Sequence, residues 1–122
     1  MKKCILVVDD DPGSRRLLQF VLAKTGYNIV TAANGVEALV QASEHTVHLL
    51  ITDLMMKGLS GFDIISKLHS FPQYANLPVI MLTARGHVES MEEAQAHKIA
   101  VFLTKPFSPI ELIAQAKQLI GT

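Results

Sequence analysis

Five polar side chains follow short apolar runs of the sequence, and their types are those that bind metal ions and phosphoryl groups. They are Asp9, Asp10, Asp53, Thr83 and Lys105. Three carboxylates brought together repel one another, and each is costly to desolvate unless a cation is present. A hard divalent ion with oxygen ligands relieves this cost, and Mg²⁺ is the usual ion where phosphate is also bound. The acidic residues therefore predict a magnesium site, if the fold gathers them.

Lys105 and Thr83 extend this chemistry from a metal ion to a phosphoryl group. The lysine supplies a mobile positive charge and the threonine a short hydroxyl donor, and phosphoryl transfer depends mainly on positioning and charge stabilisation. An aspartate in line with the phosphoryl group can act as the nucleophile and form an acyl phosphate. The set as a whole predicts phosphoryl transfer to an aspartate.

Short apolar runs alternate with longer amphipathic stretches along the chain. We predict five strands, over residues 4–8, 28–31, 48–52, 79–82 and 101–103, which alternate with five helices. This alternation is typical of an α/β fold in which right-handed crossovers cover both faces of a parallel sheet. In such folds ligands bind beyond the carboxyl ends of the strands. The five polar residues lie at those ends, so we expect them to meet at one edge of the sheet.

Favoured capping residues and apolar stripes delimit the predicted helices. The expected N-caps are Asp11 before Pro12, Asn34 with Glu37 three residues later, and Ser108 before Pro109. A fourth helix is predicted over residues 86–97. The expected apolar stripes are Leu17, Leu18, Val21 and Leu22 in the first helix, and Ile110, Ile113, Ala116 and Ile120 in the last.

The composition indicates one domain over residues 1–122, without an output domain. Lysine plus arginine equals aspartate plus glutamate, at 11 each, and this balance argues against a nucleic-acid-binding module. No apolar stretch approaches the ~20 residues needed to span a bilayer. The single cysteine, Cys4, cannot form an internal disulfide, which favours a reducing compartment. We therefore expect a cytoplasmic protein that binds neither nucleic acid nor membrane directly.

Four sequence blocks resemble the signature blocks of response-regulator receiver domains, the CheY-like family of two-component signalling. They are Val7-Val8-Asp9-Asp10-Asp11, Thr52-Asp53-Leu54-Met55-Met56, Leu82-Thr83-Ala84 and Leu103-Thr104-Lys105-Pro106-Phe107. The resemblance covers the whole chain, in order and with family-like spacing. It implies a three-layer, doubly wound (βα)5 fold with parallel strands in the flavodoxin-like order 2-1-3-4-5.

The resemblance also implies a role for each site residue. Asp53 would accept a phosphoryl group from a phosphohistidine on a sensor histidine kinase or a phosphotransfer protein. Asp10, Asp53 and the backbone carbonyl of Met55 would ligate Mg²⁺, and Asp9 would act mainly through water. Lys105 would contact the phosphoryl oxygens. The protein would thus be a signalling switch, which catalyses only its own phosphorylation and dephosphorylation.

The resemblance implies that a conformational change follows phosphorylation. Thr83 would move toward the phosphoryl group, and Phe102, at the aromatic switch position, would turn inward. The peptide bond between Lys105 and Pro106 would be cis. The surface formed by the fourth helix, fifth strand and fifth helix would then bind a downstream protein of unknown identity.

Four residues depart from the family pattern. Lys57 stands where a proline is usual, and Lys98-Ile99 replaces the usual Gly-Ala, which hints at an unusual partner or packing. Met55 has no acid or amide to orient a hydrolytic water. We therefore predict that the acyl phosphate of Asp53 loses phosphate slowly.

Two other classes of function compete with the receiver. Asp9-x-Asp11 resembles the nucleophile motif of haloacid-dehalogenase phosphatases. We expect no cap domain in this sequence, however, and a phosphatase of that type would leave Asp53 without a role. A flavin or dinucleotide module would carry a Gly-x-Gly-x-x-Gly motif or a phosphate loop after the first strand, and neither is present. The other form of such a binding module is a degenerate receiver that binds proteins without phosphorylation, and the five intact site residues argue against it.

Overall fold

A computed structural model describes residues 2–56, 59–84 and 99–121. Its main strands are β1 (Cys4–Val8), β2 (Asn28–Ala32), β3 (Leu49–Asp53), β4 (Val79–Ala84) and β5 (Val101–Lys105). Its helices are α1 (Pro12–Ala23), α2 (Gly35–Glu44), α3 (Gly61–His69) and α4 (Pro109–Ile120). The helix predicted over residues 86–97, and the departures at Lys57 and Lys98, lie outside the described residues.

The five main strands form one parallel sheet in the order β2-β1-β3-β4-β5. This confirms the predicted topology. Alternate residues of each buried strand enter one of two cores. Leu6 and Val8 pack on the side of α2 and α3, whereas Ile5 and Val7 pack on the side of α1 and α4. The sheet is therefore covered on both faces, as continuous apolar strands require.

Two short elements were not expected from the sequence. Met55–Met56 pairs antiparallel with Leu59–Ser60, directly after β3. A 3₁₀-helix at Pro72–Tyr74 connects α3 to β4. The first of these matters for function, because it lies between Asp53 and the start of α3.

The predicted N-caps are confirmed by hydrogen bonds. The Ser14 N–H donates to Asp11 Oδ2 at 2.8 Å, and the Glu37 N–H donates to Asn34 Oδ1 at 2.8 Å. At α4, the Glu111 N–H donates to Ser108 Oγ at 3.2 Å. Each cap satisfies a backbone donor that has no partner within its helix.

Two residues of the predicted apolar stripes are exposed, and those predictions are wrong. Ile110 of α4 is 82% exposed, while Leu112 and Ala116 are fully buried. Residues two apart on a helix point in nearly opposite directions, so burying Leu112 turns Ile110 outward. Leu17 of α1 is likewise 52% exposed, because α1 buries the stripe of Leu18, Val21 and Leu22 beside it.

None of the helices in residues 2–56, 59–84 and 99–121 is both long enough and apolar enough to cross a membrane.

Candidate functional site

The carboxyl ends of the central strands bring the acidic residues together. Asp9 and Asp10 follow β1, and Asp53 is the last residue of β3. Val8 is in register with Thr52, so the two strands end at the same level. One carboxylate oxygen from each of Asp9, Asp10 and Asp53 lies within 4.8 Å of the others. We call these three residues the acidic cluster; its formation confirms the gathering expected from the sequence.

Lys105, at the end of β5, joins the cluster by two ion pairs. Its Nζ lies 2.9 Å from Asp53 Oδ2 and 3.2 Å from Asp9 Oδ2. Burial by itself would lower the pKa of Lys105, but the Asp53 and Asp9 carboxylates outweigh that effect and hold it above its usual value. The ammonium is therefore charged and shared between two carboxylates.

Asp9 is the most buried member of the acidic cluster, with 1% of its surface exposed. Burial raises the pKa of its carboxyl above the usual value, and the negative charge of Asp53 adds to this. The hydrogen bond from the Asp11 N–H and the charge of Lys105 oppose the rise without cancelling it. The cluster sets three carboxyl groups beside one lysine, an arrangement that a divalent cation would stabilise.

The backbone of Asp9 is also restrained. Its N–H donates to the Ala32 carbonyl at 3.1 Å, and its own carbonyl accepts from Arg15 Nη1 at 2.8 Å. Its Oδ1 accepts from the Asp11 N–H at 2.9 Å. Together with Lys105, these bonds engage every polar group of Asp9.

Gly61 fixes the backbone of Asp53 from the other side. The Gly61 N–H donates to the Leu54 carbonyl at 2.7 Å, and the Leu54 N–H donates to the Leu82 carbonyl at 3.0 Å. A Cβ atom at residue 61 would overlap the backbone carbonyl oxygen of Asp53 and would lie 3.0 Å from Met81 Cε. The start of α3 therefore packs directly on the backbone of Asp53.

The remaining predicted site residues lie in β4, in β5 and in the short hairpin that follows β3. Thr83 is buried at the end of β4, one residue past Leu82, which is in register with Asp53. Phe102 is partly buried in β5 against the core under α2 and α3. The backbone of Met55 pairs with that of Ser60 two residues after Asp53. The peptide bond between Lys105 and Pro106 is cis, as expected.

Sequence reasoning missed the roles of Gly61 and Arg15. No sequence pattern described above predicts the hairpin that brings α3 against Asp53, or the contact that Gly61 makes there. Arg15 stands beside Arg16, and only the structure separates a hydrogen-bonded arginine from an exposed one. The one sequence feature that points to the Gly61 contact is the presence of a glycine at the first position of α3.

A doubly wound parallel sheet with an acidic cluster and a lysine at its carboxyl edge is the arrangement expected above for a receiver domain. The sequence matches the family model of the response regulator receiver domain over residues 5–117. The chain therefore belongs to the response regulator receiver domain family.

Related proteins agree with this membership. An uncharacterized 14.6 kDa protein of Leptolyngbya boryana is 39% identical over 93% of this chain and 87% of its own length. The alkaline phosphatase synthesis transcriptional regulatory protein PhoP of Bacillus subtilis is 35% identical over 98% of this chain. The chain spans only 49% of PhoP, or about half of that regulator.

The same class appears among solved structures. The chemotaxis protein CheY4 of Vibrio cholerae superposes with a TM-score of 0.91 and 30% identity, covering 98% of this chain and 99% of CheY4. These similarities favour the receiver interpretation over the phosphatase and dinucleotide-module alternatives.

The residues of the acidic cluster suit a magnesium ion. They offer only hard oxygen ligands, and they contain no imidazole or thiolate that would favour a softer metal. Burial raises the pKa of Asp9, so the charged form of its carboxyl is costly in this environment. A divalent cation beside it would lower that cost.

Proposed function

We propose that Asp53 accepts a phosphoryl group and that its phosphorylation switches the affinity of this receiver for a partner protein. The observation that carries the proposal is the bridging of Asp53 and Asp9 by Lys105 at the edge of the sheet. It places a nucleophile and a cation side by side, where negative charge develops during phosphoryl transfer.

The protein side chains have distinct tasks in this proposal. The Asp53 carboxylate attacks the phosphorus of a phosphohistidine, and the histidine nitrogen leaves. Lys105 turns from the two carboxylates to the oxygens of the new acyl phosphate. The bonds around Asp9 and the packing of Gly61 on Asp53 hold the backbone still, so that little reorganisation is needed.

Asp10, Asp53 and the Met55 carbonyl would hold Mg²⁺, with Asp9 acting mainly through water. The ion would neutralise the carboxylates and the phosphoryl oxygens. Asp9, Asp10 and Asp53 support this assignment by their proximity. The role of the Met55 carbonyl rests on its place two residues after Asp53.

Phosphorylation would reach the partner surface through β4 and β5. The phosphoryl group brings roughly two negative charges to Asp53. We propose that Thr83 and Lys105 move toward that charge, and that Phe102 turns inward as Thr83 leaves its place. The altered surface would be formed by the helix predicted over residues 86–97, by β5 and by α4, which is the fifth predicted helix. The partner would be a protein of the signalling pathway.

The phosphoryl donor in this proposal is a sensor histidine kinase or a phosphotransfer protein. Membership of the receiver family supports this class of donor. The balanced charge of the chain favours neither nucleic acid nor an acidic membrane surface as a direct partner. Cys4 is a free cysteine, which favours a reducing compartment, and the receiver would therefore act in the cytoplasm.

Incubation with acetyl phosphate and Mg²⁺, followed by intact mass measurement, tests phosphoryl transfer. The wild type should gain the mass of one phosphoryl group, and Asp53→Asn should gain none. Asp63 is an exposed carboxylate of α3, so Asp63→Asn is the matched control and should gain mass like the wild type. No gain in the wild type would leave the degenerate receiver as the better interpretation, and a gain in Asp53→Asn would place the acceptor elsewhere.

A further inference from the structure

Two adjacent arginines near the start of α1 differ in their contacts. Arg15 is partly buried, and its Nη1 donates to the carbonyl oxygen of Asp9 at 2.8 Å. Arg16 is exposed, and its side chain forms no hydrogen bond or ion pair with any other residue in the described ranges. The first arginine thus connects a helix to the acidic cluster, and the second does not.

The carbonyl that Arg15 binds belongs to the peptide unit between Asp9 and Asp10. A peptide unit is planar, so fixing its carbonyl oxygen also fixes the direction in which the chain enters Asp10. Both residues lie past the last residue of β1, and no strand in the described part of the chain pairs with this carbonyl. Arg15 therefore supplies a restraint on this peptide plane that the sheet does not.

We propose that Arg15 is a positioning residue for Mg²⁺ binding, because its bond to the Asp9 carbonyl orients the Asp10 carboxylate toward the ion. This inference rests on the proposed function of the acidic cluster.

The sign of the expected effect separates positioning from simple charge. Removing a positive charge near a cation site should strengthen Mg²⁺ binding, because one source of repulsion is lost. Removing a positioning bond should weaken it, and loss of partners that orient metal ligands typically costs about 10–100-fold in affinity. Arg15 binds a backbone carbonyl of the site and not one of its carboxylates. We therefore expect the positioning effect to dominate.

The test compares Arg15→Met with Arg16→Met, since each removes one positive charge from α1. Mg²⁺ is titrated into ¹⁵N-labelled protein, and the amide shifts of residues 10 and 53 give the dissociation constant. We expect Arg15→Met to weaken Mg²⁺ binding about 10-fold, and Arg16→Met to match the wild type. Unchanged or tighter binding in Arg15→Met would overturn the inference.

Phosphorylation by acetyl phosphate supplies an independent measurement. Its rate in Arg15→Met should fall at low Mg²⁺ and recover at saturating Mg²⁺. A deficit that persists at saturation would show that Arg15 acts on another step and would also overturn the inference. Should Arg15→Met fail to fold, Arg15→Lys is compared with Arg16→Lys, and only the former should bind Mg²⁺ more weakly.

The same titration separates this inference from the proposed function. If the wild type shows no Mg²⁺-dependent shift at residues 10 and 53, the magnesium site itself is refuted. If the wild type binds Mg²⁺ and both arginine variants bind equally well, only the role of Arg15 is refuted.

Discussion

Replacing Gly61 by alanine should destabilise the protein at the backbone of Asp53. The added Cβ would overlap the Asp53 carbonyl oxygen and would lie 3.0 Å from Met81 Cε. Met81 is fully buried and Asp53 is held in β3, so neither atom can move freely. Relief requires α3 to shift away from the sheet.

The size of the effect follows from two opposing contributions. Overpacking of this kind costs typically about 1–3 kcal/mol. Alanine regains about 0.4–1 kcal/mol, because it restricts the unfolded chain more than glycine does. We expect a net loss of about 1–2 kcal/mol in the free energy of unfolding. For a chain of this size the unfolding temperature should fall by roughly 3–5 °C for each kcal/mol.

Gly13 provides a matched control in the first turn of α1. A Cβ there would meet only the Asp11 side chain, at 3.3 Å, and neither glycine has a backbone conformation that demands glycine. Gly13→Ala should therefore be neutral or stabilising in thermal and urea unfolding. In Gly61→Ala the rate of phosphorylation by acetyl phosphate should also fall, because the Asp53 backbone is displaced. A Gly61→Ala protein as stable as the wild type, or an equal loss in both variants, would refute the reasoning.

Three further predictions concern pH, the buried carboxylate and the lifetime of the phosphorylated state. Burial, and then the charge of Lys3, lower the pKa of His48, whose Nδ1 accepts from the Cys4 N–H at 3.0 Å. The stability that His48 contributes is complete above its unfolded pKa of about 6.5 and is lost as the pH falls toward the lowered folded value. Urea unfolding from about pH 8 to about pH 5 should show this loss in the wild type and less of it in His48→Gln; identical slopes would contradict it. Because the pKa of Asp9 is raised, its charge destabilises the metal-free fold at neutral pH. The free energy of unfolding of Asp9→Asn should therefore exceed that of the wild type by about 0.5–2 kcal/mol without Mg²⁺. Added Mg²⁺ should stabilise this variant less than it stabilises the wild type. A less stable Asp9→Asn without Mg²⁺ would be the contrary result. Met55→Asn should shorten the lifetime of phosphorylated Asp53, measured by mass spectrometry over time, and an unchanged lifetime would count against the water-orienting explanation.

The arrangement of the site could be predicted from the sequence because it depends on topology. Asp9 follows a parallel strand, and Asp53 and Lys105 each end one. Strands of one parallel sheet bring their carboxyl ends to one edge. No side-chain geometry is needed to foresee that they meet. Asp11 and Asn34 could be predicted for a related reason, since capping depends on local spacing alone.

The parts that could not be predicted depend on rotation and packing. Ile110 and Leu112 are both apolar, and periodicity alone did not decide which of them α4 would turn toward the sheet. The contact of Gly61 with Asp53 arises from a hairpin whose four paired residues carry no strong turn signal. The bond from Arg15 to the Asp9 carbonyl depends on how α1 leaves β1. These details need coordinates.

The most direct test of the site is a crystal structure grown with Mn²⁺ and beryllium fluoride, which mimics an acyl phosphate on aspartate. We predict one anomalous peak for Mn²⁺ among Asp9, Asp10 and Asp53. We also predict the fluoroberyllate on an Asp53 oxygen, with Lys105 Nζ bonded to it. A metal ion bound elsewhere, or a fluoroberyllate on a different carboxylate, would contradict it.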